Sequence, residues 1–216
     1  MLSESIEDYL KAIYKIEGDE PVTTNDLAAS LNVAPSSVTK MIKRLDEMEL
    51  VNYTSHKGVE LTDKGKIESL RILRRHRIIE TFLHDILGYS WDEVHDEANK
   101  LEHYISERFE EAIYKLSGYP KVDPHGDPIP DKEGNLPDDT TLSIVEAELN
   151  KKVKISRIMP DDTELLQYLG SLGLVPGAVV KVLEKHPFGG PIVIQKDSKK
   201  INLGMEAAKY IWVIEA

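Results

Sequence analysis

No cysteine occurs among the 216 residues, which excludes disulfide frameworks, thiol catalysis, iron–sulfur clusters and cysteine-bound zinc together. Any metal must then be held by His, Asp, Glu or amide ligands. No run of 18 or more apolar residues is present, so no membrane span and no membrane partner is expected. The opening residues, MLSESIEDYL, lack a basic segment followed by an apolar stretch, and a cytoplasmic location is expected. Positive charge is also scarce: 27 Lys+Arg stand against 38 Asp+Glu, a net charge of −11, which argues against nonspecific coating of nucleic acid. There is no H-E-x-x-H, phosphate loop or dinucleotide fingerprint, so the chain is not expected to be an enzyme.

What is present is the composition of an ordinary globular protein, 41% apolar and 30% charged, with length enough for one large domain or two small ones. Charge is unevenly spread. Residues 1–75 hold 11 Lys+Arg and 13 Asp+Glu, leaving −9 for the remainder. A nearly neutral front joined to an acidic rear fits a nucleic-acid reader coupled to a cation-binding part.

Ile6, Tyr9, Leu10, Ile13 and Ile16 recur at helical spacing over residues 5–17. Gly18 and Pro21 end that helix, Thr23 and Thr24 can cap a short second one, and Pro35 starts a third that runs to Met48 or Glu49. VNYTSHKGVELT then reads as a hairpin around His56, Lys57 and Gly58. Three helices and a hairpin predict a winged helix-turn-helix. Residues 63–116 read as helical, with a turn near Gly88, a restart capped by Ser90 and Glu93, and an apolar stripe of Ile105, Phe109, Ala112, Ile113 and Leu116 suited to a core or a dimer contact. Residues 119–140 hold five of the eleven prolines and read as a linker. Beyond them, short β-rich runs predict a small barrel of about five strands with one helix near Thr163 to Leu169, and GG at 189–190 reads as a hairpin turn.

On the third helix Ser36, Lys40, Lys43 and Arg44 fall within about 100° of one another, while Val38, Met41, Ile42, Leu45 and Met48 take the opposite side. This is the layout of a recognition helix in double-stranded DNA. Ser37 and Thr39 on the same helix, and Lys57 at the hairpin tip, complete the candidate contacts. In WDEVHDEANKLEH, His95, Asn99, Glu102 and His103 recur at i, i+4, i+7 and i+8 and share about 100° of a helix. Imidazoles, an amide and a carboxylate on one stripe point to a bound divalent cation. His76 and Glu80 repeat an i, i+4 pair upstream, and Asp8 lies opposite the apolar face of the first helix. Two His with several oxygens suit Mn²⁺ or Fe²⁺ better than a closed zinc site.

Through EDYLKAIY (7–14), RRHRIIETFL (74–83), VHDEANKLEHYIS (94–106), PHGDPIP (124–130) and LGLVPG (172–177), essentially the whole chain resembles the diphtheria toxin repressor and manganese transport regulator (DtxR/MntR) family of metal-dependent transcriptional repressors. The resemblance implies a mainly α fold with a small β part: a winged-helix DNA-binding domain (1–63), a helical dimerisation and metal-binding domain (64–118), the Pro-rich linker (119–140) and a C-terminal SH3-like, FeoA-like domain (141–216). It maps an activating metal site onto Asp8, Asn99, Glu102 and His103, and a second onto His76, Glu80 and His95 with Asp123, His125 and Asp161 or Asp162. Iron-type members carry Met and Cys where this chain has Asp8 and Asn99, and manganese-type members carry Asp and Glu. Asp8 leans to the manganese type and Asn99 matches neither. The implied function is an Fe²⁺- or Mn²⁺-activated repressor of metal homeostasis, a homodimer on a near-palindromic operator with two metal sites per chain. The competing reading is a winged-helix regulator switched by a small organic ligand. In the metal reading, Asp8 and Glu102 repel without a cation, by about 4 kcal/mol at about 4 Å and an effective dielectric near 20.

Overall fold

Ile6, Tyr9, Leu10 and Ile13 bury one face of α1 (Glu4–Ile16), as their spacing requires. The computed structural model describes residues 2–18, 20–55, 57–159 and 162–216; His56 and Asp161 therefore lie outside the described residues. Thr23 caps α2 (Thr24–Ser30) in a reciprocal box: its hydroxyl accepts from the Asp26 amide and the Asp26 carboxylate accepts from the Thr23 amide. Asn32, at φ 50°, turns the chain, and Pro35 opens α3 (Pro35–Glu47), which buries Val38, Ile42 and Leu45. β1 (Val51–Thr54) and β2 (Gly58–Leu61) pair antiparallel, and Val22 bridges Val59. Gly58 has φ 130°, and a Cβ there would stand 2.7 Å from the Val22 carbonyl oxygen. Glycine is what lets this wing close on the segment before α2.

Three helices follow: α4 (Asp63–Asp85), α5 (Val94–Leu101) and α6 (Glu107–Leu116). The Glu93 carboxylate accepts from the amide and hydroxyl of Ser90, but residues 91–93 form a turn and α5 begins only at Val94, so Ser90 does not cap the helix as expected. The expectation of one helix from here to Leu116 is corrected. α5 ends at Leu101, and Glu102, His103 and Tyr104 form a turn. Arg75 donates to the Glu102 carbonyl at 2.9 Å, satisfying an acceptor that a continuing helix would have used. Of the expected stripe, Ile113 is buried while Phe109 and Leu116 are exposed. The chain forms two compact units, one of Met1–His76, Asn99–Glu110 and Pro130–Leu136, the other of Arg77–Ala98, Glu111–Ile129 and Pro137–Ala216. They are called the first and second unit below.

Residues 119–140 contain no regular element, as their prolines predict. They are nevertheless packed rather than a loose spacer. Val122 bridges Pro128, the Ile129 amide donates to the Lys121 carbonyl, and Asp123, His125 and Ile129 are buried. The second unit is completed by an antiparallel sheet of six strands, β3 (Leu142–Ser143), β4 (Lys152–Ile158), β5 (Val179–Lys185), β6 (Ile192–Lys196), β7 (Lys199–Leu203) and β8 (Ile211–Glu215), in the order β3-β8-β4-β5-β6-β7. Alternate residues such as Val153 and Ile155, Val180 and Val182, and Ile211 and Val213 supply its core. α7 (Thr163–Ser171) and the single-turn α8 (Met205–Ala208) accompany it. The turn between β5 and β6 uses Gly189 at φ 70°.

Candidate metal centres and nucleic-acid face

In the first unit, α1 carries Glu4, Glu7, Asp8 and Lys11 on successive turns, and the end of α5 with its following turn carries Asn99, Glu102 and His103. His103 Nδ1 lies 2.7 Å from Glu7 Oε2, so this nitrogen donates to the carboxylate, and Nε2 lies 3.2 Å from Asp8 Oδ1. A lone pair against a carboxylate oxygen is repulsive until a proton or a metal ion lies between them. Glu4, Asp8 and His103 each offer a ligand atom within 4.8 Å of the others. Burial pushes the Asp8 carboxyl above its ordinary value against the pull of His103 and Lys11.

The Asn99 and Glu102 corner differs from expectation. Lys11 Nζ donates to Asn99 Oδ1 at 2.7 Å and also to Glu102 Oε1. His76 Nδ1 lies 2.6 Å from Glu102 Oε2, so both oxygens of this fully buried carboxylate are engaged. Burial acts to raise the Glu102 carboxyl, but His76 and Lys11 outweigh it and hold it below the ordinary value. The expected bare repulsion between Asp8 and Glu102 is therefore offset by a lysine that sequence reading did not single out. Glu7 was passed over too. A Glu–Lys pair at i, i+4 reads as an ordinary solvent-facing pair, yet Glu7 and Lys11 are only 3% and 9% exposed. Asp8 and His103 fit a hard divalent cation, whereas Asn99 and Glu102 fit one only where the ammonium yields its place.

In the second unit, Glu80 on α4 and His95 on α5 meet at 3.1 Å, and the loop after α6 brings in Asp123 and His125. Glu80, Asp123 and His125 are all buried, with ligand atoms within 4.8 Å of one another. His125 Nε2 lies 2.7 Å from the Trp91 carbonyl oxygen and must carry the hydrogen. Its Nδ1 faces Glu80 Oε1 at 3.9 Å. Asp123 Oδ1 accepts from the His125 and Asp127 amides at 2.8 and 3.0 Å, and Arg77 Nε stands 3.6 Å from Oδ2. Burial, reinforced by Glu80 and Asp127, pushes the Asp123 carboxyl well above its ordinary range against the attraction of Arg77. Two buried carboxylates and an imidazole lone pair converging on one place call for positive charge, and the donors suit a hard divalent ion. Gly126 sets the loop: at φ 90° a Cβ would stand 2.0 Å from the Ser156 carbonyl oxygen, and the His125 carbonyl accepts from the Ile158 amide.

Asp162, expected as an alternative ligand, is exposed and caps α7 by accepting from the Leu165 amide at 3.0 Å. Among the described residues no such His–carboxylate group includes it.

On α3, Ser36, Ser37, Lys40, Lys43 and Arg44 are exposed together, opposite the buried Val38, Ile42 and Leu45. Thr39 is half-buried and donates its hydroxyl to the Pro35 carbonyl at 3.0 Å. Its hydrogen is thus spent on the backbone. Lys57 is exposed between the wing strands.

Three family models match successive parts of the chain: "Iron dependent repressor, N-terminal DNA binding domain" over residues 1–59, "Iron dependent repressor, metal binding and dimerisation domain" over 62–131, and "FeoA domain" over 142–215. The chain is 29% identical to the iron-dependent repressor IdeR of Mycobacterium leprae, covering 98% of this chain and 97% of that protein. Among solved structures it is similar to a manganese-dependent transcriptional repressor in complex with manganese, with 38% identity, a TM-score of 0.90, and coverage of 98% of this chain and 100% of that one. It is also similar to ScaR with bound Cd²⁺, at 34% identity and a TM-score of 0.85 over 98% and 99% of the two chains.

Proposed function

The chain belongs to the DtxR/MntR family of metal-dependent repressors, and from this we propose that it is a DNA-binding transcriptional repressor activated by Fe²⁺ or Mn²⁺ and controlling metal homeostasis. The observation that carries the reading is the presence, in one chain, of a helix with an exposed basic face and two centres in which a histidine ring nitrogen faces a carboxylate. Nothing in the geometry favours a small organic effector. We read residues 1–63 as the DNA-binding domain, 64–118 as the dimerisation domain, 119–140 as the connection and 141–216 as the SH3-like domain. The role is regulatory rather than catalytic.

Asp8 and His103 are proposed to hold one ion, with Asn99 and Glu102 as further ligands. Glu80, His95, Asp123 and His125 are proposed to hold the other; the family pattern adds His76, whose Nδ1 is spent on Glu102 in the first unit. Asp161, outside the described residues, stays a proposed ligand on the family pattern alone. A bound divalent cation supplies the positive charge that these carboxylates lack. Asp8 then ties α1 to the turn that carries His103, and so fixes α1 beneath the helices of the DNA-reading domain. Ser36 and Ser37 face base edges, Lys43, Arg44 and Lys57 face phosphates, and Lys40 shares the same exposed face. Exposed Phe109 and Leu116 on α6 support a partner-facing surface. A homodimer would set its two α3 helices about 34 Å apart on a near-palindromic operator.

The test is fluorescence anisotropy with duplexes selected from a random library, in chelator, Mn²⁺ and anaerobic Fe²⁺. Equal affinity in chelator and in both metals overturns the proposal. In the same assay Asp8→Ala loses the metal-stimulated gain in DNA affinity, while its melting in chelator stays that of the parent.

A further inference from the structure

We infer that Lys11 is the resident cation of the first-unit centre, so that a divalent ion claims Asn99 and Glu102 only by exchange with the Lys11 ammonium. The inference rests on the reading of Asp8, Asn99, Glu102 and His103 as a metal centre. Its basis is the convergence of an amide oxygen and a carboxylate oxygen on one Nζ atom in a nearly closed site, with Lys11 9% exposed. An ammonium offers three donors and no acceptor, and it collects the same hard oxygens that a divalent ion collects.

Charge balance gives the pairing its consequence. At this corner one positive side chain meets one negative side chain and a neutral amide, so the net charge is already near zero. The second-unit centre gathers the Glu80 and Asp123 carboxylates, with Arg77 as the nearby guanidinium at 3.6 Å. The electrostatic pull on an arriving ion at the Asn99 and Glu102 corner is therefore weaker than the Glu102 carboxylate alone would give. Lys11 thus raises the free metal at which the first-unit site fills and leaves the second-unit site untouched. Exchange needs no change of protonation: the ammonium swings out on its flexible stem as the divalent ion enters.

The experiment is a Mn²⁺ titration of the chelator-stripped full chain, read by calorimetry and by the electron paramagnetic resonance signal of free Mn²⁺, for the parent, Lys11→Met, Lys11→Gln and Lys11→Arg. Asp8→Ala identifies the first-unit event and Glu80→Gln the second-unit event. Lys11→Met and Lys11→Gln should leave the Glu80-sensitive event unchanged and strengthen the Asp8-sensitive one about tenfold or more, the worth of one charge-assisted hydrogen bond that no longer has to be broken. Lys11→Arg should keep the parental profile. Melting in chelator establishes that each variant is folded, and the Gln variant serves should the Met variant fail to fold. An Asp8-sensitive event that is unchanged or loosened in both neutral variants overturns the role of Lys11. Absence of any event sensitive to Asp8→Ala, in every variant, instead overturns the first-unit metal centre itself.

Discussion

Replacing Asp123 with Asn separates the charge of the second-unit centre from its shape. The amide oxygen of Asn can still accept from the His125 and Asp127 amides that now donate to Asp123 Oδ1, so the loop keeps its turn. What disappears is a buried carboxyl that, once ionised, puts a negative charge within 4.8 Å of a ligand oxygen of Glu80. At an effective dielectric near 20 that repulsion is about 3 kcal/mol, and with Arg77 offsetting part of it, about 1 to 2 kcal/mol should be relieved without metal. The pH dependence follows from the raised Asp123 carboxyl. The folded chain holds this proton more tightly than the unfolded chain, so its contribution is fully present below the unfolded value and is lost as pH rises through the folded one. Metal-free protein should therefore melt progressively lower as pH rises from the ordinary aspartate range through the raised folded value, and the Asn variant should show less of that slope. Metal binding expels the same proton, so the gain from Mn²⁺ should grow with pH. At Mn²⁺ about a hundredfold above the dissociation constant the gain is about 2.7 kcal/mol, or about 5 to 10 °C in melting temperature. Circular dichroism melts in chelator and in Mn²⁺ should find the Asn variant equal or higher in melting temperature without metal and missing this rise with it. A variant that keeps the parental Mn²⁺ rise, or melts several degrees lower in chelator, refutes the reasoning.

Glu102→Ala leaves Lys11 and His76 buried without their carboxylate and should cost about 3 to 5 kcal/mol in urea unfolding at neutral pH; a loss below about 1 kcal/mol would mean water replaces the carboxylate. Because Glu102 is held below its ordinary value, its contribution is present above the ordinary glutamate range and is lost as pH falls through the folded value. Gly126→Ala forces a methyl to 2.0 Å from the Ser156 carbonyl oxygen at φ 90°, displaces His125, and should weaken the second-unit event about 10- to 100-fold by calorimetry. Lys40→Ala tests the DNA face: a uniform loss across duplex sequences, with the slope of log affinity against log salt reduced by about one per protomer, marks a phosphate contact. A changed sequence preference at constant slope marks a base contact.

The winged helix was legible because its signals are local: apolar spacing on α1 and α3, the Thr23 cap, Pro35 and the Gly58 turn each act within a few residues. The break after Leu101 was not, since the polar stripe runs on at helical spacing while the chain turns to give the Glu102 carbonyl to Arg75, 27 residues away in sequence. Lys11 and Glu7 were missed for a related reason. Their i, i+4 spacing is that of any solvated pair, and their burial is a tertiary fact. The PHGD loop read as a linker because its order comes from two backbone amides on Asp123 and one close approach at Gly126 rather than from apolar periodicity. β3 has two residues and β7 reads KKINL, too short and too polar to stand out as strands. Asp162 was weighed as a ligand, but a carboxylate directly before TELLQYL has a nearer use as a helix cap.

Asp123 also ties two timescales together. The amides of His125 and Asp127 both end on its Oδ1, so their exchange with deuterated solvent is governed by the excursions of a single carboxylate. An ion that draws on the other oxygen slows those excursions without touching either amide. If Asp123 holds the proposed ion, the rate at residues 123–127 would count occupancy, and two deuterium uptake curves from this turn would report the fraction of chains carrying metal.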